Sequence, residues 1–307
     1  MNVLVIADPS APFLKPLSTL PTEVRVTISD NLDELKRAAP NAEVLMFAHG
    51  NPELLTQILP LASHTKWIHS LWTGVEGIIT PALLEHPAPL TNGRGVFRWP
   101  LADWVIAAML FFAFRLRDVL KQQEDGIWKP VHGRMLEGQT LGIIGYGSIG
   151  QAAAERAKPF GMKIAPLRRT GYRPDQLREL MAASDYLLLA TPLTAETRGM
   201  IGEAELADMK PSAVIMNVGR GPVIDEPAMI RALQSGKLRG AALDVFDIEP
   251  LPPDHPFWKM PNVLLSPHTA DRVEGFLSPA LDAFLDNLSR FRGGTALLNI
   301  VGKKAGY

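Results

Sequence analysis

The sequence contains no cysteine. Without a thiol there can be no disulfide, no thiolate nucleophile and no cysteine-ligated zinc or iron–sulfur centre. Net charge is nearly as scarce: 31 Lys and Arg against 32 Asp and Glu leave −1. That balance excludes a surface built to neutralise nucleic-acid phosphates or to coat an anionic membrane. No apolar run reaches the ~20 residues that a membrane-spanning helix needs. The most apolar stretch, Trp104 to Phe114, is bracketed by Asp103 and Arg115 and reads as a buried helix. Met1-Asn2 passes straight into Val3 to Ala7 with no basic region or cleavage site, so the expected location is cytoplasmic. There is no short repeat and no low-complexity linker.

What remains is an ordinary globular composition. The chain has 307 residues, 47% hydrophobic and 21% charged, enough for two domains of roughly 150 residues, each with its own core. Short apolar runs alternate with helical stretches. Val3–Ala7, Val24–Ile28, Val44–Ala48 and Trp67–Leu71 read as strands, with Val96 and Phe97 as a candidate fifth. From Pro100 to about Gln123 the pattern predicts one long helix, apolar on most faces. A second series begins at Gln139, with strands at 140–144, 162–167, 186–190, 213–218, 240–245 and 263–266. A last helix is expected over about 276–291. Strands separated by helices imply parallel βαβ units, hence an α/β fold with two parallel-sheet lobes.

Gly145-Tyr146-Gly147-Ser148-Ile149-Gly150 is a G-x-G-x-x-G run. The pattern alone is weak, but here it follows a predicted strand and opens a predicted helix, the context that makes it a dinucleotide fingerprint. Gly145 permits a tight turn, Gly147 lets backbone approach a pyrophosphate, and Gly150 allows close helix–strand packing. The amides of Ser148 and Ile149 then face the anion at a helix N-terminus. An NAD site places an acidic residue about 20 positions on. Here the next strand ends Leu167-Arg168-Arg169-Thr170, and no carboxylate follows until Asp175. Two guanidinium groups where a 2′-phosphate would lie favour NADP(H) over NAD(H). Thr191, Pro192 and Val218, at later strand ends, complete the cofactor-lining candidates.

Three further strands end in polar groups: Asn217-Val218-Gly219-Arg220-Gly221, Asp244-Val245-Phe246-Asp247-Ile248-Glu249-Pro250 and Ser266-Pro267-His268-Thr269. Ligands of open α/β sheets bind outside the carboxyl ends of the strands, so Arg220, Glu249 and His268 are candidates to meet there. Each also has an ordinary reading: a loop charge, a turn carboxylate, a hydrogen-bonded strand-end histidine. The other six histidines, His49, His64, His69, His86, His132 and His255, receive no catalytic role.

These motifs in this order resemble the NAD(P)-dependent D-isomer-specific 2-hydroxyacid dehydrogenases, nearest to those that reduce glyoxylate or hydroxypyruvate. The likeness covers nearly the whole length and includes Thr73-Gly74-Val75 and Asn92-Gly93-Arg94-Gly95-Val96-Phe97. It implies two Rossmann-like lobes, one flavodoxin-like and one dinucleotide-binding, with a cleft between them. Residues 1–97 and 272–307 would form the substrate domain, and 98–271 the cofactor domain, through which the family usually forms homodimers. His268 would be the general acid that protonates a small 2-keto acid as hydride reaches its carbonyl carbon, giving the D-2-hydroxy acid. Glu249 would orient the ring, and Arg220 would bind the substrate carboxylate. Asp244 would contact the nicotinamide carboxamide. The backbone of Thr73, Gly74 and Val75 would bind the substrate carboxylate, and no metal is required. The family also includes dinucleotide-sensing corepressors with little turnover. The intact trio and the absence of a basic extension favour the enzyme. Glu76 and Asp103 stand where Asp and Glu are more usual, and both keep the charge.

Overall fold

The computed structural model describes residues 1–168 and 173–305. The chain divides into two compact units, Met1–Phe97 with Glu274–Tyr307, and Arg98–Val273.

The first unit opens with β1 (Asn2–Ile6), β2 (Arg25–Ser29), α1 (Leu32–Ala38), β3 (Val44–Phe47), α2 (Pro52–Ile58), β4 (Trp67–Ser70), α3 (Pro81–Glu85) and β5 (Leu90–Asn92). All strands are parallel, in the order β2-β1-β3-β4-β5. That is the flavodoxin-like order. β3 and β4 are buried along their length and β1 nearly so, while edge strand β2 alternates in exposure. Central parallel strands covered on both faces need continuous apolar sequence. Asparagines start the first two helices: Asn31 accepts the amides of Asp33 and Glu34, and Asn51 accepts that of Glu53, satisfying otherwise orphaned donors. The fifth strand is Leu90–Asn92, and Val96 and Phe97 lie in a turn instead. Gly93 sits so close to the Leu71 carbonyl that a Cβ there would be 2.4 Å from it. The chain then folds back, with the Val96 amide on the Gly93 carbonyl at 3.1 Å.

The second unit runs α4 (Arg98–Ala113), α5 (Leu116–Asp125), β6 (Thr140–Ile144), α6 (Ser148–Ala157), β7 (Lys163–Leu167), α7 (Pro174–Ala183), β8 (Tyr186–Leu189), α8 (Glu203–Asp208), β9 (Val214–Asn217), α9 (Glu226–Gln234), β10 (Gly240–Leu243) and β11 (Val263–Leu265). Its six parallel strands are ordered β7-β6-β8-β9-β10-β11. The expected single helix from Pro100 to Gln123 is two, bent by 63°. Arg115 takes a left-handed conformation, φ 53°, and the Arg239 guanidinium caps the Phe112 carbonyl. No glycine or proline marks this break, which is why the local sequence does not reveal it. Half the residues of α4 are buried and α5 buries none. Among the described residues, no single helix is long and apolar enough to cross a membrane.

The chain returns to the first unit after Val273, two residues beyond the expected 271, and ends with α10 (Ser278–Arg292). The expected start at Phe276 is too early: Gly275, with φ 69°, turns the chain, and the helix begins at Ser278-Pro279.

Candidate functional site

One row of paired residues crosses the second sheet: Leu167, Ile144, Leu189, Asn217, Leu243 and Leu265, each level with its neighbours. At about 4.8 Å between strands the row is roughly 24 Å wide. It is the last residue of every strand. Arg168, Gly145, Ala190-Thr191, Val218, Asp244 and Ser266 therefore leave the sheet along the same carboxyl edge. The strand order reverses at β6, which has β7 on one side and β8 on the other, so Gly145 starts at the switch point where such sheets bind ligands.

The three glycines of the run are required for three reasons. Gly145 has φ 93°, and a Cβ there would lie 2.6 Å from the Ala190 carbonyl oxygen. A Cβ at Gly150 would be 2.5 Å from the Gly145 carbonyl. A Cβ at Gly147 would meet nothing within 4 Å: its bare backbone faces open space, as an approaching phosphate requires. Gly147 caps α6 with no side chain and no acidic residue occupies the first turn, so the Ser148 and Ile149 amides and the helix dipole are available to an anion. Beside this loop the Thr191 hydroxyl is buried and has no hydrogen-bond partner among the described residues. An orphaned buried hydroxyl costs about 1–3 kcal/mol, a deficit that a polar ligand group relieves. Thr191 also packs against the positions where Gly145 and Gly219 would carry a Cβ. Pro192 is exposed, and Val218 is buried at the end of β9. These residues fit a dinucleotide. The exposed Arg168 guanidinium sits over the Tyr146 ring, 4.9 Å from its centroid, which ties it to the glycine run. Arg169 lies outside the described residues.

The structure brings Glu249 and His268 together. His268 Nδ1 is 2.7 Å from Glu249 Oε2, and Glu249 Oε1 accepts the Phe246 amide at 2.9 Å. The carboxylate accepts a hydrogen bond from Nδ1–H, so Nε2 is the nitrogen free to exchange a proton. The hydrogen bond to Glu249 raises the His268 pKa above the ordinary imidazole value, against burial and the charge of Arg220. Burial pushes Glu249 up, but the bonds from His268 and Phe246, with the His268 and Arg220 charges, outweigh it and hold the carboxyl below its usual value. His268 has φ 52°, a conformation an L-residue adopts only when its surroundings impose it.

Asp244 imposes it. Only 2% exposed, its Oδ1 accepts the Ser266 hydroxyl at 2.6 Å and the Thr269 and Ala270 amides at 2.9 and 3.0 Å, while its carbonyl accepts the His268 amide at 2.9 Å. Burial pushes the Asp244 pKa up, opposed by those three hydrogen bonds and by His268. Asn217 does the same for the neighbouring loop: its side chain accepts the Gly219 amide at 3.0 Å and donates to the Arg220 carbonyl at 2.9 Å. The Arg220 guanidinium also donates to the Gly219 carbonyl at 2.7 Å. Neither Asn217 nor Ser266 was among the sequence candidates. The available signal was an Asx or Ser side chain ending an apolar strand just before Gly or Pro.

In the first unit, Thr73, Gly74 and Val75 follow β4. Asn92 donates to the Thr73 carbonyl at 2.6 Å, and the Thr73 hydroxyl donates to the Gly93 carbonyl at 3.0 Å. Val75 is buried in the first unit's core. The loop is thus braced on both sides, as a backbone binding element must be.

Comparison with known proteins identifies relatives along the whole chain. A family model described as D-isomer specific 2-hydroxyacid dehydrogenase, NAD binding domain, matches residues 106–270. The chain is 37% identical over 263 residues to a glyoxylate reductase of Korarchaeum cryptofilum, covering 81% of this chain and 79% of that one. A D-isomer specific 2-hydroxyacid dehydrogenase family protein from Aeromonas salmonicida superposes with TM-score 0.88 at 31% identity, covering 98% and 99% of the two chains. An NADPH-dependent glyoxylate/hydroxypyruvate reductase from Sinorhizobium meliloti, solved with NADP and sulfate, superposes with TM-score 0.87 at 26% identity, covering 100% and 99%.

Proposed function

The chain belongs to the D-isomer specific 2-hydroxyacid dehydrogenase family, an NAD(P)-dependent oxidoreductase family, and on that premise we propose that it reduces a small 2-keto acid to the D-2-hydroxy acid, with His268 as proton donor. The observation that carries this reading is the 2.7 Å His268–Glu249 pair, seated at the strand-end row that also bears the glycine run. Glyoxylate and hydroxypyruvate, named for the relatives, are the substrates proposed first.

The nicotinamide, when bound, supplies the hydride. The chain supplies the rest. In reduction, Nε2 of protonated His268 gives its proton to the carbonyl oxygen as negative charge develops there, and the ring ends neutral. Glu249 keeps the ring oriented and its proton on Nδ1, and stabilises the imidazolium before the reaction. Arg220 holds the substrate carboxylate and offsets charge on the oxygen, a task suited to a guanidinium fork. Thr73, Gly74 and Val75 bind the carboxylate through backbone amides. Asp244 places His268 and would contact the carboxamide of the cofactor when it is bound. Met1–Phe97 with Glu274–Tyr307 is thereby assigned to substrate and Arg98–Val273 to the cofactor.

NADP(H) is the proposed cofactor. Arg168 supports it, because a guanidinium held on Tyr146 at the end of β7 offers a 2′-phosphate its charge, where an NAD site would offer a carboxylate. A homodimer through the second unit is proposed from surface composition. Phe114, Leu120, Ile127, Trp128 and Met135 leave apolar side chains exposed just before α5, on it and in the segment after it, with Trp128 fully exposed, and large exposed apolar surface of this kind marks an interface. Purified protein should oxidise NADPH with at least one small 2-keto acid, and His268→Ala should abolish it. Tight dinucleotide binding without turnover would instead favour a sensor.

A further inference from the structure

A second imidazole–carboxylate pair, Glu226 and His255, lies outside the trio of Arg220, Glu249 and His268. His255 Nε2 is 3.0 Å from Glu226 Oε1, and both side chains are largely buried. His255 Nδ1 accepts the Phe257 amide at 3.3 Å. A backbone amide can only donate, so Nδ1 carries no proton and the ring's proton sits on Nε2, directed at Glu226. The other carboxylate oxygen accepts the Asp247 amide at 3.4 Å.

Glu226 therefore joins three pieces of chain. It is itself the first residue of α9, directly downstream of the Arg220 loop, where Asp225 caps the helix through the Ala228 amide at 3.0 Å. Asp247 precedes Glu249 by two residues. His255 belongs to the turn that closes the segment after Pro250, where its own amide donates to the Pro252 carbonyl at 3.0 Å. The His255 ring is anchored on Phe257, with centroids 4.8 Å apart, and Phe257 is 1% exposed and packs near Phe246. The same two loops meet through backbone: a Cβ on Gly221 would fall 1.9 Å from the Phe246 carbonyl carbon. No side chain fits between them, and beside this contact the Glu226 carboxylate reaches across to the Asp247 amide and His255.

We propose that Glu226 and His255 are positioning residues that hold the Arg220 loop in register with the Phe246–Glu249 loop. They thereby set the spacing between the guanidinium that binds the substrate carboxylate and the imidazole that delivers the proton. The proposal rests on the roles given above to Arg220, Glu249 and His268. Its consequence is kinetic, because a misplacement of about 1 Å at a reacting centre costs on the order of 100-fold.

The test compares wild type with Glu226→Gln, His255→Gln and the double variant, with His268→Ala alongside. Glu226→Gln keeps the side-chain shape but turns an amide N–H group toward one of two donors, His255 Nε2–H or the Asp247 amide. In glyoxylate reduction with NADPH, each single variant should lose about tenfold in kcat/KM for the keto acid, through both a lower kcat and a higher keto-acid KM. The double variant should lose no more than about the same, because the two residues act as one unit. The NADPH dissociation constant should stay at the wild-type value, and Tm should fall by no more than the roughly 10 °C that losing buried hydrogen bonds costs a unit of this size, leaving the protein folded at the assay temperature. Single variants with kcat/KM within about twofold of wild type would overturn the proposal. So would losses matched by equally weakened NADPH binding, or losses that disappear when the assay is run well below the variant's Tm, which describe mere scaffolding. An active His268→Ala enzyme would overturn the reading of the trio itself. An inactive one beside unaffected Glu226 and His255 variants overturns this proposal alone.

Discussion

Replacing Gly221 by alanine should separate the two loops that carry Arg220 and Glu249. The added Cβ would stand 1.9 Å from the Phe246 carbonyl carbon, 2.0 Å from its oxygen and 2.5 Å from the Asp247 nitrogen. Carbon atoms in contact prefer about 3.5–4.0 Å, so the backbones must part by about 1.5 Å. Every atom in the way is main chain, which cannot swing aside as a flexible side chain would. Overpacking of this sort costs about 1–3 kcal/mol. For a unit of this size that lowers Tm by about 3–10 °C. Displacing Arg220 from the proton donor by more than 1 Å should cut kcat/KM for the keto acid about 100-fold. Gly147→Ala is the contrasting variant. Its Cβ meets nothing within 4 Å, so Tm should not move, yet the methyl occupies the approach of a phosphate and should weaken NADPH binding on the order of tenfold, about 1.4 kcal/mol. Thermal melts, NADPH fluorescence titration and steady-state kinetics read all three quantities. Wild-type Tm and activity in Gly221→Ala, or wild-type NADPH binding in Gly147→Ala, would refute the reasoning.

The pH dependence follows from the raised His268 pKa. Keto-acid reduction needs the protonated ring, so its rate should fall as pH climbs through a midpoint above the ordinary imidazole value. Oxidation of the hydroxy acid needs the neutral ring and should fall as pH drops through it. Glu249→Gln removes the carboxylate that raises that value, so both midpoints should move to lower pH in rate–pH profiles, and unmoved midpoints would contradict the pairing. Arg168→Asp should reverse the NADPH over NADH preference by at least about tenfold in kcat/KM, because it replaces attraction to a 2′-phosphate with repulsion; an unchanged ratio refutes the cofactor assignment. Trp128→Glu places a charge on a fully exposed apolar ring. It should shift the protein from dimer to monomer in analytical ultracentrifugation without changing the fold by circular dichroism.

Residues whose function depends on a local pattern were legible in the sequence. Gly145, Gly147 and Gly150 announce a strand–turn–helix because each meets a backbone demand that its immediate neighbours create. Glu249 and His268 were legible as strand-end polar groups, and the structure pairs them. Residues that act across sequence distance were not. Asp244 was read only as a cofactor contact, whereas it organises the His268 loop through three donors more than 20 residues away. His255 was set aside because its partner, Glu226, lies 29 residues earlier, with nothing in the local pattern to link them. The break at Arg115 was hidden for the same reason: Arg239, which caps the end of α4, comes 127 residues after the carbonyl it holds. Val96 and Phe97 looked like a strand because they are apolar, whereas the close packing of Gly93 on Leu71 makes them a turn.

The central claim is that His268 delivers the proton in an NADPH-dependent reduction of a small 2-keto acid. The most direct measurement follows the absorbance of the reduced nicotinamide in wild type and His268→Ala, with glyoxylate and hydroxypyruvate as substrates and cofactor affinity measured on the same preparations. The account predicts turnover by wild type. It also predicts a loss of at least about 100-fold in kcat for His268→Ala, the low end of what a general acid contributes, with NADPH binding retained. Turnover by His268→Ala at the wild-type rate would contradict it.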